Sequence, residues 1–128
     1  LSHYNSCNVL SLHALLGAYS DEGAQWLDEL RPVLADNIRY ACDFIAAHFP
    51  GVQVMQPQGT YMLFLDCAAW LQEHHMTLRE LEERGARAGV IWQDGAAFAW
   101  PDSIRMNLAL PHSRLVEAME RLRVHAFC

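Results

Sequence analysis

The chain has 128 residues, of which 52% are hydrophobic and 19% charged, and its formal net charge is −6. This length fits one ordinary domain, and the apolar content excludes a disordered chain. The acidic balance disfavours a nucleic-acid partner, and no apolar run is long enough for a membrane partner. All nine basic residues are arginine, so the chain contains no lysine.

The first part of the chain predicts two helices. Apolar residues recur near helical spacing in two stripes, at 9–19 and 26–49. Pro32 lies inside the second stripe, and because proline removes an amide donor we expect a kink or a restart there. Pro50-Gly51 ends the helical pattern. Residues 1–50 are therefore expected to form a long, kinked helical segment that once led to another domain.

The remaining residues, 51–128, carry strand and helix signals. Thr77 and Glu80 fit a capping box that starts one helix, and a last helix begins near Ser113. Four runs have the composition or alternation of strands: 52–54, 61–65, 90–92 and 103–108. The pattern predicts an α/β (α+β) domain in which a small mixed β-sheet is covered by helices on one face.

Arg105 is the most informative polar residue. It alternates with Ile104 and Met106, so its guanidinium projects from the opposite face of the strand. A planar guanidinium matches a carboxylate bidentately, which makes Arg105 a candidate for binding a substrate carboxylate. The pattern alone favours a plainer interpretation, a structural ion pair with Asp94 or Asp102, because such pairs are common at surfaces.

The histidines and cysteines fit structural roles. The adjacent side chains of His74-His75 point in different directions and lack a suitably spaced third ligand, so no metal site is expected. The four cysteines have wide spacings without a CxxC pair, which indicates reduced buried thiols of a cytoplasmic protein. Neither Cys42 nor Cys67 has the basic surroundings that would make it a nucleophile. The four are Cys7, Cys42, Cys67 and Cys128.

Four glutamates and the aromatic residues near Gly95 also have interpretations at the sequence level. The glutamates at 82, 83, 117 and 120 fit solvated helix faces. Trp92, Phe98 and Trp100 surround Gly95, and they either line a pocket or pack on the sheet. The sequence leaves these two interpretations equal.

Several stretches of sequence match a known family in the same order: Ala18–Leu30 with Asn37, Gly59–Asp66, Gly89–Phe98, Ser103–Pro111 and Glu117–Leu122. They resemble the C-terminal domain of class I/II aminotransferases, which are fold-type-I enzymes that depend on pyridoxal phosphate. The most specific match is the strand of Arg105 with its flanking Gly95 and Pro111. Ala99 departs from the pattern, because many relatives have glycine after the phenylalanine. Within this superfamily the chain looks most like the carbon–sulfur lyases of cystathionine β-lyase type.

The resemblance implies a role for Arg105 and for the chain. Arg105 would bind the α-carboxylate of an amino-acid substrate. Residues 1–50 would be the interdomain segment and 51–128 the small domain of a cytoplasmic homodimer, whose catalytic large domain would lie N-terminal to this chain. The cofactor chemistry needs a lysine for its Schiff base. We therefore expect no catalytic, cofactor-binding or metal-binding residue here, and an isolated chain that is inactive.

Several alternatives stay open at the sequence level. The reaction could be a lyase reaction or an aminotransferase reaction, and no residue decides between them. A non-enzymatic α/β module for ligand sensing or partner binding would instead use Arg105 as a structural residue. A degenerate, regulatory member of the superfamily is a third possibility. If the chain is a fragment, an apolar face once covered by another domain should be exposed and should promote self-association.

Overall fold

The computed structural model describes residues 8–128 as helices, short strands and their connections. Most of these elements were predicted, including both N-terminal helices and the capping box of Thr77 and Glu80. The bounds in chain order are α1 Val9–Ala18, α2 Asp21–His48, β1 Gln53–Val54, β2 Met62–Asp66, α3 Ala68–Glu73, α4 Leu78–Arg87, β3 Gln93–Asp94, a 3₁₀ helix Gly95–Phe98, β4 Ser103–Asn107 and α5 His112–His125.

Two local predictions were wrong or incomplete. The third strand lies at Gln93–Asp94 and not at 90–92. The amide of Val90 donates to the Gly85 carbonyl at 2.9 Å and closes the end of α4, so it does not join the sheet. Helix α3 was not predicted, because it has only six residues and its N-cap, Cys67, makes no side-chain capping bond.

The four strands form one sheet in the order β1-β2-β4-β3, and every neighbouring pair is antiparallel. The predicted mixed sheet is therefore wrong, although the combination of helices with a small sheet is confirmed. A parallel pair needs a long crossover connection. Strands β3 and β4 are joined only through the 3₁₀ helix and a short turn, so the chain reverses direction between them.

One face of the sheet packs on the helices. Residues of β2, and those of β4 from Ile104 onward, alternate between buried and less buried positions, as predicted around Arg105; Ser103 is buried as well. The hydrophobic core joins this buried face to the second half of α2 and to α3, α4 and α5. Representative core residues with at most 1% exposure are Ile45, Leu63, Leu65, Trp70, Leu81, Ile104, Leu115 and Leu122. The opposite face of the sheet carries half-buried side chains, including Phe64 and Arg105.

The contacts divide the described residues into two compact units, one ending at Val33 and the other running from Leu34 to Cys128. Helix α2 is continuous through Pro32, so the expected restart there is wrong. The carbonyl of Asp28 loses its helical partner at this proline, but it lies in an exposed stretch where water can bind it. The second unit begins before residue 51 because the C-terminal half of α2 contributes buried residues to its core.

In the first unit, α1 is exposed along its whole length. None of its residues is buried, and Leu10 and Leu16 keep 82% and 62% of their surface accessible. A helix that is apolar on all sides is normally covered by other protein. Among the described residues, no helix is both long and apolar enough to cross a membrane.

The departure at Ala99 has a cost in backbone strain. Ala99 adopts a left-handed conformation, with φ 59° and ψ 26°, at the end of the 3₁₀ helix. Such a conformation costs a residue with a Cβ about 1–2 kcal/mol. We therefore expect Ala99→Gly to raise the free energy of unfolding by about 0.5–1 kcal/mol, measured by urea unfolding.

The control for this prediction is Ala96→Gly in the same 3₁₀ helix, where φ is not positive. Glycine there only increases the conformational entropy of the unfolded chain, so the free energy of unfolding should fall by about 0.5–1 kcal/mol. Equal losses in both variants would contradict the strain at Ala99.

Candidate functional site

The candidate site lies on the face of the sheet opposite the core. Cα pairing places Phe64 of β2 opposite Arg105 of β4, and Arg105 opposite Gln93 of β3. Directly opposed residues of antiparallel strands point to the same face. The three side chains therefore form a row across three strands, with the arginine in the middle.

Neutral groups hold the Arg105 side chain. Its Nη1 atom donates a hydrogen bond of 2.6 Å to Oε1 of Gln93. Its guanidinium carbon lies 4.5 Å from the ring centroid of Phe98, a cation–π distance. A guanidinium has several N–H donors, so one bond to Gln93 leaves others free. The charge of Arg105 is thus oriented without being neutralised.

The predicted structural ion pair of Arg105 does not form. Across residues 8–128, neither Asp94 nor Asp102 lies within ion-pair distance of Arg105. Seven of the nine arginines do form an ion pair, each with a carboxylate three or four positions away on its own helix. The Oδ1 atom of Asp94 instead accepts a bond of 2.7 Å from the Ala96 amide and caps the 3₁₀ helix. The plainer interpretation of Arg105 is therefore wrong.

An open cleft of about 500 Å³ lies on the same face as Arg105, against β1 and β2. Phe64 and Trp100 line it, and their rings stack with centroids 5.9 Å apart. Phe64 also meets the ring of Phe98 edge-on at 5.8 Å. The aromatic side chains thus connect the cleft to the ring that lies against Arg105.

The three aromatic residues around Gly95 divide between two roles. Trp100 lines the cleft, so the pocket interpretation applies to it. Phe98 packs edge-on against Phe64, so it follows the interpretation of packing on the sheet. Trp92 belongs with the core, because its ring fills the space beside Gly85 on α4 and lies near Phe127. Its indole nitrogen is buried without a hydrogen-bond partner.

The remaining candidates are not part of the site. His74 stacks on Trp70 with centroids 4.0 Å apart and its Nδ1 lies 2.8 Å from the Trp70 carbonyl oxygen, a local structural role. Within residues 8–128, no three His, Cys, Asp or Glu residues cluster as metal ligands would. Of the glutamates predicted to be solvated, Glu83 and Glu120 are exposed, whereas Glu82 and Glu117 are half-buried, and burial raises the pKa of Glu82. Glu83, Glu117 and Glu120 pair with arginines of their own helices.

The cysteines in the described part of the chain are free thiols, as predicted, but they are not all buried. Cys67 is fully buried, and burial raises its pKa to about 12. Cys42 is partly buried, and burial raises its pKa as well. Cys128 is exposed, because it follows the last core residue of the chain, Phe127. The prediction for Cys7 falls outside the described residues.

Sequence reasoning missed Gln93 and Phe64 as parts of the site. The strand of Gln93 was predicted to end at residue 92, which hid its pairing with Arg105. The apolar run at 61–65 gives no sign of which face Phe64 occupies, and the structure shows that it faces away from the core. Pairing β2 with the strand of Arg105 in the observed register would have identified Phe64.

Comparison with known proteins places this arrangement in a family. The model of the family "Aminotransferase class I and II" matches residues 1–122. The chain belongs to this family. It is 33% identical to the protein MalY of Escherichia coli K12 over 92% of its length, and 35% identical to a cystathionine β-lyase of Corynebacterium glutamicum over 90%. These resemblances confirm the predicted family.

A solved structure agrees with the sequence comparison. The pyridoxal-phosphate-bound C–S lyase of Staphylococcus hominis superposes with a TM-score of 0.82 at 25% identity, covering 95% of this chain and 32% of that one. The chain spans 30% of the length of each of the two curated relatives. It is therefore similar to one part of these proteins.

The family is pyridoxal-phosphate-dependent, but this chain does not by itself fit the cofactor. Enzymes hold pyridoxal phosphate through a lysine, and the chain has none. What the chain does present is a cation held on a sheet face. Its chemistry is that of binding and orienting an anion.

Proposed function

We propose that this chain is the small-domain part of a pyridoxal-phosphate-dependent carbon–sulfur β-lyase and that Arg105 binds the α-carboxylate of its amino-acid substrate. One observation carries the proposal. The guanidinium lies on an open sheet face, oriented by Gln93 and Phe98, with no carboxylate among the described residues within ion-pair distance. Such a group can form a bidentate, charge-assisted pair with a carboxylate from outside.

The strand gives Arg105 a rigid base. Ile104 and Met106 on either side are buried, so β4 is anchored in the core while Arg105 faces outward. A substrate carboxylate bound to a fixed guanidinium loses much of its freedom to rotate. Binding in this way orients the reacting carbon of the substrate before chemistry begins.

The cofactor and its lysine would come from a large domain outside this chain, with residues 1–50 as the interdomain segment and 51–128 as the small domain. The exposed apolar surface of α1 supports this proposal, since a covering domain would bury residues such as Leu10 and Leu16. We extend the proposal to a cytoplasmic homodimer, following the sequence resemblance. The 128-residue chain alone should be inactive, because it lacks lysine.

A lyase reaction is favoured over an aminotransferase reaction by the names of similar proteins. One is called a cystathionine β-lyase and one a C–S lyase. The discriminating assay gives L-cystathionine to the full-length polypeptide and follows pyruvate release, then measures amino-group transfer to 2-oxoglutarate with the same preparation. Transfer faster than pyruvate release would replace the lyase assignment with an aminotransferase.

The role of Arg105 is tested in the full-length polypeptide by Arg105→Gln and Arg105→Lys. Loss of a charge-assisted bidentate pair is worth about 2–3 kcal/mol, so Arg105→Gln should raise KM about 100-fold. Lysine keeps the charge but not the fork, and should recover only part of the loss. The measurement is KM for L-cystathionine.

The matched control is Arg84→Gln. Among residues 8–128 Arg84 also has no ion pair, but it is half-buried on α4, away from the open sheet face. The KM of this variant should stay within about twofold of the parent value, because Arg84 is not on the face that carries Arg105. A KM that Arg105→Gln leaves unchanged would overturn the carboxylate-binding role of Arg105. Absence of any turnover by the full-length parent polypeptide would instead favour a non-enzymatic, ligand-sensing or interaction module.

A further inference from the structure

We propose that Gln93 and Phe98 are positioning residues that fix the guanidinium plane of Arg105 and leave its free N–H edge available for a carboxylate. This inference rests on the proposed function of Arg105. It assigns the two residues to substrate binding through the arginine, although neither needs to touch the substrate.

The first step of the argument is the choice of an amide as partner. Gln93 stands directly opposite Arg105 in the sheet and accepts its hydrogen bond at 2.6 Å. A carboxylate at the same position would form an internal ion pair and compete with a substrate carboxylate. Glutamine supplies the same acceptor geometry without a charge, so it orients the arginine and leaves its charge available.

The second step concerns the plane of the guanidinium. The guanidinium carbon lies over the ring of Phe98, 4.5 Å from its centroid. Phe98 is itself held edge-on by Phe64, whose backbone pairs with that of Arg105. The ring contact and the bond at one nitrogen together restrict the orientation of the planar group. The remaining N–H donors are therefore held in place without any ionic contact.

The third step is a contrast within the same chain. The paired arginines of the helices lie on exposed surfaces and have carboxylate partners; Arg79 and Arg87, for example, both contact Glu83. Such pairs contribute little and leave the arginine neutralised. The partially buried Arg105 has the opposite arrangement, with an amide and an aromatic ring in place of an acid. This difference is expected of a cation whose charge is available to bind an anion from outside the chain.

The decisive variant is Gln93→Glu in the full-length polypeptide. The isosteric carboxylate should form the internal ion pair and raise KM for L-cystathionine about 10-fold, with kcat within about twofold, because it competes with binding only. The inhibition constant of propionate, a carboxylate without an amino group, should rise by a similar factor. The free energy of unfolding should stay the same or increase.

Two further variants separate charge from packing. Gln72→Glu adds the same charge on the exposed face of α3 and should leave both constants unchanged. Phe98→Leu removes the ring but keeps an apolar side chain, and it should raise KM about threefold to fivefold; Phe98→Tyr should restore the parent value.

The outcomes distinguish this inference from the proposed function. If Arg105→Gln raises KM and Gln93→Glu leaves KM and the propionate constant unchanged, the positioning role is wrong and the arginine assignment stands. If Arg105→Gln has no effect on KM, the proposed function itself is wrong. A loss of stability in Gln93→Glu with a lower kcat and unchanged KM would make Gln93 a purely structural residue and would overturn the inference.

Discussion

Replacing Gly95 by alanine is expected to lower the free energy of unfolding by about 3 kcal/mol or more. A Cβ atom at this buried position would overlap Oγ of Ser103 and would lie 2.7 Å from the Trp100 carbonyl oxygen and 2.8 Å from the Ser103 carbonyl oxygen. Two of these atoms belong to the backbone, so relief requires moving the start of β4. Urea unfolding of the purified chain measures the loss.

Two companion variants make the Gly95 prediction specific. Gly59→Ala adds a Cβ where no atom lies within 4 Å, and its stability should change by less than about 0.5 kcal/mol. Adding Ser103→Ala to Gly95→Ala removes the hydroxyl overlap but neither carbonyl contact, so it should recover less than half of the loss. Full recovery would show that the backbone contacts are not limiting.

The Gly95 contacts also explain why a short motif identified the family. The turn after β3 brings the backbone at Gly95 against Trp100 and Ser103, which begins the strand of Arg105. The glycine therefore belongs to the turn that leads into β4, and the arginine lies two residues after the first residue of that strand. The motif could be recognised from the sequence, whereas the close approach that requires glycine could be seen only in three dimensions.

The parts of the fold that were predictable have local causes. The alternation at β4 follows from one buried and one open face, and the capping box of Thr77 and Glu80 is a pair of bonds within one helical turn. Sheet direction depends on which distant strands pair, and no local pattern encodes this. The sequence therefore could not predict that all neighbouring strands are antiparallel, and the predicted mixed sheet was wrong.

The site was predictable only as far as a single side chain. Arg105 was identified by its strand position, but its partners come from β3 and the 3₁₀ helix, and their contacts depend on register. The predicted strand at 90–92 stopped one residue before Gln93, and this was enough to lose Gln93 as a partner of Arg105. Phe98 was named from its place near Gly95, yet its position against the guanidinium could not be derived from spacing.

The second large effect on the free energy of unfolding is expected at Asn37, whose buried polar side chain has several long-range partners. Its Nδ2 atom donates to the carbonyl oxygens of Leu108 and Leu110, each at 2.9 Å. Its Oδ1 atom lies 2.9 Å from Nδ1 of His112. Since both carbonyls require the amide nitrogen, Oδ1 must accept, and His112 carries its proton on Nδ1 in this contact. One side chain of α2 thus secures the chain between β4 and α5.

We expect Asn37→Ala to lower the free energy of unfolding by about 3 kcal/mol, because it leaves two carbonyl oxygens without their donor. His112→Ala removes the third bond and the edge contact of its ring with Tyr40, and it should cost about 1–2 kcal/mol. Asn107→Ala is the matched control, since this exposed asparagine only accepts a local bond from the Ala109 amide, and it should cost about 0.5 kcal/mol. Urea unfolding of the three variants checks the order, and equal losses at Asn37 and Asn107 would contradict it. Because Asn37 holds the segment that follows β4, its loss should also loosen the strand that carries Arg105.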